Sequence, residues 1–168
     1  PEALDYVRAE IGMHFGVGDY LKLIQMAKKA VKVPIIASIN CVAPKWWVRY
    51  AEQIAASGPD ALELNIARMP VDPSSSSRDI EKDYYSIVED VKRVVKIPLA
   101  VKIGPYFTSL ANFAEGMAER GASALVLFNR FYRPDIDTEN FQIVAARPFS
   151  SPSEIHLSLR WIAILSSR

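Results

Sequence analysis

The hydrophobic and polar positions of this chain alternate between two periods. Four short apolar runs, 33–40 (VPIIASIN), 61–66 (ALELNI), 98–103 (PLAVKI) and 124–129 (ALVLFN), have the length of strands. Longer stretches of helical period follow or separate them. After Asp19, a candidate cap, Tyr20, Leu23, Ile24, Ala27, Ala30 and Val31 recur as one helical face. Residues 44–57 predict a helix with Trp47, Ala51, Ile54 and Ala55 on one side and Gly58 as its stop, Trp46 and Trp47 packing it against the sheet. Residues 79–96 carry the clearest stripe: Ile80, Tyr84, Ile87, Val88, Val91, Val94 and Val95. Its acids crowd the start and Lys92, Arg93 and Lys96 the end, as the helix dipole prefers. A helix over 109–120, with Leu110, Phe113, Ala114 and Met117 inward, stops at Gly121. Residues 1–18 read as a short helical piece and a Gly-rich loop, and Ser74 to Ser77 as a solvated loop or part of a lid. FQIVAAR (141–147) is a weaker strand signal, an excursion from the main sheet. Ser151-Pro152-Ser153-Glu154 matches a capping box opening a last helix to about Leu165.

Strand and helix thus alternate four times, the pattern of βαβ units and a parallel sheet with helices outside. Two closures compete, an open doubly wound sheet and part of a (βα)8 barrel. A complete barrel takes about 250 residues, and this chain has 168. No GxGxxG or GxxxxGK[ST] follows a strand, so phosphate-binding doubly wound folds lose their main signal. The polar residues favour the barrel. Ser38 and Asn40, Glu63 and Asn65, Lys102, and Asn129 all fall at or near the C-terminal ends of their strands, where barrel active sites lie. We therefore read one partial barrel over 1–168, about four central units, in an excerpt of a longer protein.

Composition narrows the partners. Half the residues are hydrophobic, and 20 basic against 19 acidic side chains leave a net charge of +1. There is no basic stripe for nucleic acid and no run near the roughly 20 apolar residues needed to span a bilayer. The single cysteine, Cys41, excludes an internal disulfide and favours a reducing compartment, hence the cytoplasm. His14 and His156 show no metal-ligand spacing, and no metal is expected.

Lys102 carries the question of function. A lysine near the end of a buried strand is costly to desolvate without a polar or anionic partner. Glu63 on the neighbouring strand could neutralise it in a purely structural role. Cys41, just past a strand end, is either an inert thiol or a reactive group. A strand-end asparagine often satisfies loop backbone rather than a ligand.

The segments ASIN, ELNI, VKIGPYF and LFN resemble the middle of the dihydroorotate dehydrogenase family, FMN-containing (βα)8 barrels of pyrimidine synthesis. The resemblance spans about 33–129, and its most specific part is Lys102-Ile103-Gly104-Pro105-Tyr106-Phe107. It implies FMN as cofactor, with Lys102 against the flavin ring, Asn65 and Asn40 holding the cofactor, and Asn129 lining the substrate pocket. After E-L-N the family reads close to L-S-C-P-N, with cysteine or serine as base. Here Ile66-Ala67-Arg68-Met69-Pro70 stands instead. Arg68 occupies the base position and Pro70 that of a substrate-binding asparagine. An arginine stays protonated and cannot remove a proton. The chain is thus similar to the dihydroorotate dehydrogenase-like subfamily, with an altered substrate. Arg68 would suit a carboxylate through a bidentate contact, and the catalytic base is unassigned, Cys41 or a residue elsewhere. The expected partner is a small molecule, and the expected assembly a homodimer. Two other readings stay open: an aldolase-like barrel with Lys102 as Schiff-base nucleophile, and a degenerate barrel retained for ligand binding.

Overall fold

The computed structural model describes residues 16–41, 44–69, 71–131, 133–145 and 149–166. His14, Pro70 and the helical piece expected before residue 16 lie outside them. The elements run α1 (Val17–Ala30), β1 (Ile36–Ile39), α2 (Pro44–Ala56), β2 (Ala61–Asn65), α3 (Ser77–Val94), β3 (Leu99–Ile103), α4 (Leu110–Glu119) and β4 (Ala124–Leu127). A hairpin of β5 (Pro134–Asp137) and β6 (Gln142–Ala145) follows, then a 3-10 turn (Pro152–Glu154) and α5 (Ile155–Leu165).

The four expected strands form one sheet in the order β1-β2-β3-β4, every pair parallel. Sequential order without reversal is what a barrel wall has, whereas a doubly wound sheet switches direction. One face of the sheet is covered. Ala37, Ile39, Leu62, Leu64, Leu99, Val101 and Ile103 are buried there against Trp47, Ala51 and Ile54 of α2, Tyr84, Val88 and Val91 of α3, and Leu110, Phe113 and Met117 of α4. Each fully buried aliphatic side chain contributes about 1.5–3 kcal/mol, so this layer carries the fold. The opposite face holds the alternate residues, exposed or half-buried.

The strand expected in 141–147 is β6 (Gln142–Ala145), with 146 and 147 outside the described residues; among these, β5 and β6 pair with each other, antiparallel, as a two-stranded sheet apart from the main one. Ser151 and Glu154 form the expected capping box, and Gly58 and Gly121 follow α2 and α4 at φ of 88° and 98°, values that other residues rarely adopt. Among the described residues no helix is long and apolar enough to cross a membrane.

Several boundaries differ. β1 is four residues long instead of the 33–40 run; Val33 lies outside it, and Ile36 is exposed because it stands with Ser38 on the open face of the sheet, while Ala37 and Ile39 turn to the helices and are buried. Helix α1 begins after Gly16 with no side-chain cap, and Asp19 falls inside its first turn. Leu23 and Val31, expected inward, are exposed, while Ile24 is buried. Helix α3 begins at Ser77 because Ser76 caps it in a reciprocal box with Asp79. The serine run is therefore partly a helix start. Trp47 packs in the core, but Trp46 stacks on Tyr50 of its own helix at 5.5 Å.

Candidate functional site

Strand register sorts the open face into rows. Ser38, Glu63, Ala100 and Ala124 lie side by side across β1 to β4. One step nearer the C-terminal ends, Asn65, Lys102 and Val126 form the next row. Neighbouring strands are about 4.8 Å apart, so Asn65 and Lys102 stand as direct neighbours.

The proposed structural neutralisation of Lys102 by Glu63 does not occur. Glu63 Oε1 instead accepts a hydrogen bond from Ser38 Oγ at 2.7 Å. Among the described residues the Lys102 ammonium has no hydrogen-bond or ion-pair partner. Beside it, Asn65 Oδ1 is buried and accepts from no donor. A buried, unsatisfied acceptor costs about 1–3 kcal/mol. The row thus combines a free cation and an unsatisfied amide, both able to engage a ligand with anionic and N–H groups.

Asn129 reaches the site by another route than alternation. Lys102 pairs with Val126, so Leu125 and Leu127 face the helices, and a longer strand would send Asn129 the same way. The strand ends at Leu127 instead. Asn129 then ties the strand ends together: its N–H donates to Ile103 O at 2.7 Å, and its Nδ2 to Ile66 O at 3.4 Å and Lys102 O at 3.5 Å. It is backbone glue at the mouth. Tyr84 of α3 adds a second donor to Ile66 O at 3.2 Å, and burial pushes its hydroxyl pKa up, which keeps it protonated. Sequence reasoning placed Tyr84 only in the helical stripe; nothing local signals its bond to a loop 18 residues away.

The other candidates surround this row. Arg68 does not stand free: its guanidinium pairs with the Asp83 carboxylate of α3. Asn40 is exposed one residue past β1 and lines, with Cys41, Trp47 and Arg68, a cleft of about 730 Å³. Burial pushes the Cys41 thiol up to about 11. It therefore carries little thiolate at neutral pH, which disfavours the reactive form. Past β3, Gly104 allows close approach of Phe131, whose ring would lie 2.8 Å from an added Cβ. Tyr106 stays largely exposed, with Phe131 at 5.6 Å, whereas Phe107 turns inward and stacks on Phe113 at 3.9 Å. A second cleft, about 970 Å³, runs from Tyr106 and Asn129 to Arg130, Arg133 and Glu154. Both arginines converge on Glu154 Oε2, at 3.2 and 3.0 Å. Sequence reasoning missed this trio, because its members sit on either side of the β5–β6 hairpin.

No family model matches the chain. It is 30% identical over 122 residues to the dihydroorotate dehydrogenase B (NAD(+)) catalytic subunit of Methanosarcina acetivorans, a match covering 72% of this chain and 39% of that protein. It is 25% identical over 120 residues to the dihydroorotate dehydrogenase A (fumarate) of Lactobacillus delbrueckii subsp. bulgaricus, covering 70% of this chain and 39% of that one. The chain thus spans 39% of the length of both curated relatives. Among solved structures it is similar to a phosphonopyruvate hydrolase, with a TM-score of 0.55 at 13% identity over 70% of this chain and 44% of that one. The fold is that of the (βα)8 barrel, of which these residues form four consecutive strands, and the sequence is similar to dihydroorotate dehydrogenases.

Proposed function

We propose that this chain is the central part of an FMN-dependent oxidoreductase barrel of the dihydroorotate dehydrogenase kind, acting on a small acid other than dihydroorotate. The observation that carries the reading is the unpartnered Lys102 ammonium beside the unsatisfied Asn65 Oδ1, at the C-terminal ends of adjacent barrel strands. These residues fit a flavin. Its ring offers both an N–H donor and an edge that becomes negative on reduction, and a carboxamide meets either need by turning about its terminal bond. When bound, FMN supplies the capacity to take up two electrons from the substrate. The chain's own residues bind and orient. Lys102 would hold its fixed positive charge against the bound flavin, where it would stabilise negative charge that develops on reduction. Asn65 would orient the ring through its carboxamide, and Asn40 borders the same mouth. Asn129 holds the tips of β2 and β3 at fixed spacing at this mouth.

The substrate is changed because the base is changed. Arg68, at the family's base position, is engaged by Asp83, and Cys41 is held protonated. Neither accepts a proton at neutral pH. The purified full-length protein is expected to be yellow, with a bound-flavin absorption spectrum that small carboxylic acids bleach selectively. A colourless protein that does not take up added FMN overturns the proposal. A free strand-borne lysine also suits a Schiff-base enzyme. Borohydride trapping at Lys102 by a carbonyl substrate, in protein without flavin, would establish that reading instead.

A further inference from the structure

We propose that Ser38 is a positioning residue that keeps the Lys102 ammonium free for an anionic ligand by holding the Glu63 carboxylate away from it. The inference rests on the flavin reading above.

Ser38 and Glu63 are register partners on β1 and β2. Glu63 is in turn the register partner of Ala100 on β3, and Lys102 lies two residues further along the same strand and face. Glu63 and Lys102 are therefore diagonal neighbours: a strand spacing of about 4.8 Å and two residues of rise at about 3.3 Å each put their Cα atoms roughly 8 Å apart, within mutual reach of long side chains. Opposite charges at such a diagonal on a half-buried face would ordinarily pair. They do not, because the Ser38 hydroxyl takes Glu63 Oε1 at 2.7 Å and draws the carboxylate toward β1.

Ser38 is anchored independently of that hydroxyl. The Tyr20 hydroxyl accepts from the Ser38 backbone N–H and donates to the Ser38 carbonyl, both at 2.9 Å. The serine side chain is thus free to act on Glu63 without being needed to hold the strand edge. Losing it leaves Glu63 without a donor, with Lys102 the cation on the same face. Pairing between the two would neutralise the charge that the flavin edge uses.

The test uses the full-length protein, with FMN as the probe. Ser38→Ala is expected to weaken FMN binding roughly tenfold and to lower the flavin midpoint potential, since the reduced ring loses its cation. Ser38→Thr restores the hydroxyl and should restore both values. The double variant Ser38→Ala/Glu63→Gln should also recover, because no carboxylate remains to claim Lys102. A structural role for Ser38 predicts no such recovery. Wild-type affinity and potential in Ser38→Ala, or a double variant as impaired as the single one, overturns the inference while leaving the flavin reading intact. Failure of the wild-type protein to bind FMN overturns both.

Discussion

Asn65 gives the sharpest test, because it predicts a gain of stability from damage to the site. Its Oδ1 is buried and accepts no hydrogen bond, while the residue as a whole is only half-buried. A buried acceptor of this kind costs about 1–3 kcal/mol relative to one that is paired or absent. Asn65→Leu keeps nearly the same shape, replaces a residue type depleted in strands and removes the orphan. Without ligand, the variant should be more stable than wild type by about 1 kcal/mol, the low end of that range, since part of the amide still faces water. For a domain of this size that is a rise of roughly 2–4 °C in Tm. FMN should reverse the order. A ligand at a hundredfold excess over Kd adds about 2.7 kcal/mol to the protein that binds it, which exceeds the gain from leucine. Urea unfolding of both proteins, with and without FMN, should therefore give crossing stabilities. A variant less stable than wild type without FMN, or one that gains equally from FMN, refutes the assignment of Asn65.

Three further outcomes follow from the same contacts. Phe113 is fully buried, stacked on Phe107 and edge-on to Tyr84, so Phe113→Ala should cost about 3–5 kcal/mol in urea unfolding and loosen the loop that carries Tyr106. Tyr20→Phe removes both bonds to the Ser38 backbone and should cost about 1–2 kcal/mol, read by chemical denaturation. The Asp60 carboxyl is held below its ordinary value of 3.8 chiefly by the Lys28 ammonium at 2.7 Å, and by the Ile35 N–H. A depressed carboxyl contributes stability that is present above its unfolded value and is lost as pH falls through the folded one. Asp60→Asn should therefore flatten the decline of stability with acid below pH 3.8, and an unchanged acid limb would exclude this contact as its source.

The barrel wall was legible because each of its strands obeys the period-two rule, and because polar residues cluster at one set of strand ends. Lys102 and Asn65 were legible for the same reason: β2 and β3 are central strands, and their alternation is enforced by burial on one face. Asn129 was placed correctly at the mouth but by the wrong geometry, since alternation ceases to govern a residue once its strand has ended. Helix starts were less legible. Ser76 and Asp79 make a capping box, whereas the more obvious Asp19 caps nothing, because capping depends on backbone geometry as well as residue type. The pairing of Arg68 with Asp83 was invisible, since only the packing of α3 against the sheet brings a residue 15 positions away to the β2 loop.

Tyr20 has a consequence for how the barrel wall continues beyond β1. An edge strand exposes a row of unpaired N–H and C=O groups, and such rows recruit further strands, wanted or not. Here a single phenol from α1 occupies both groups of Ser38, in the middle of a four-residue strand. Addition of a strand outside β1 must first break two hydrogen bonds and swing that helix side chain away. A strand added there, the next strand of the barrel wall included, has to displace this phenol, so α1 holds the place at which the wall would continue.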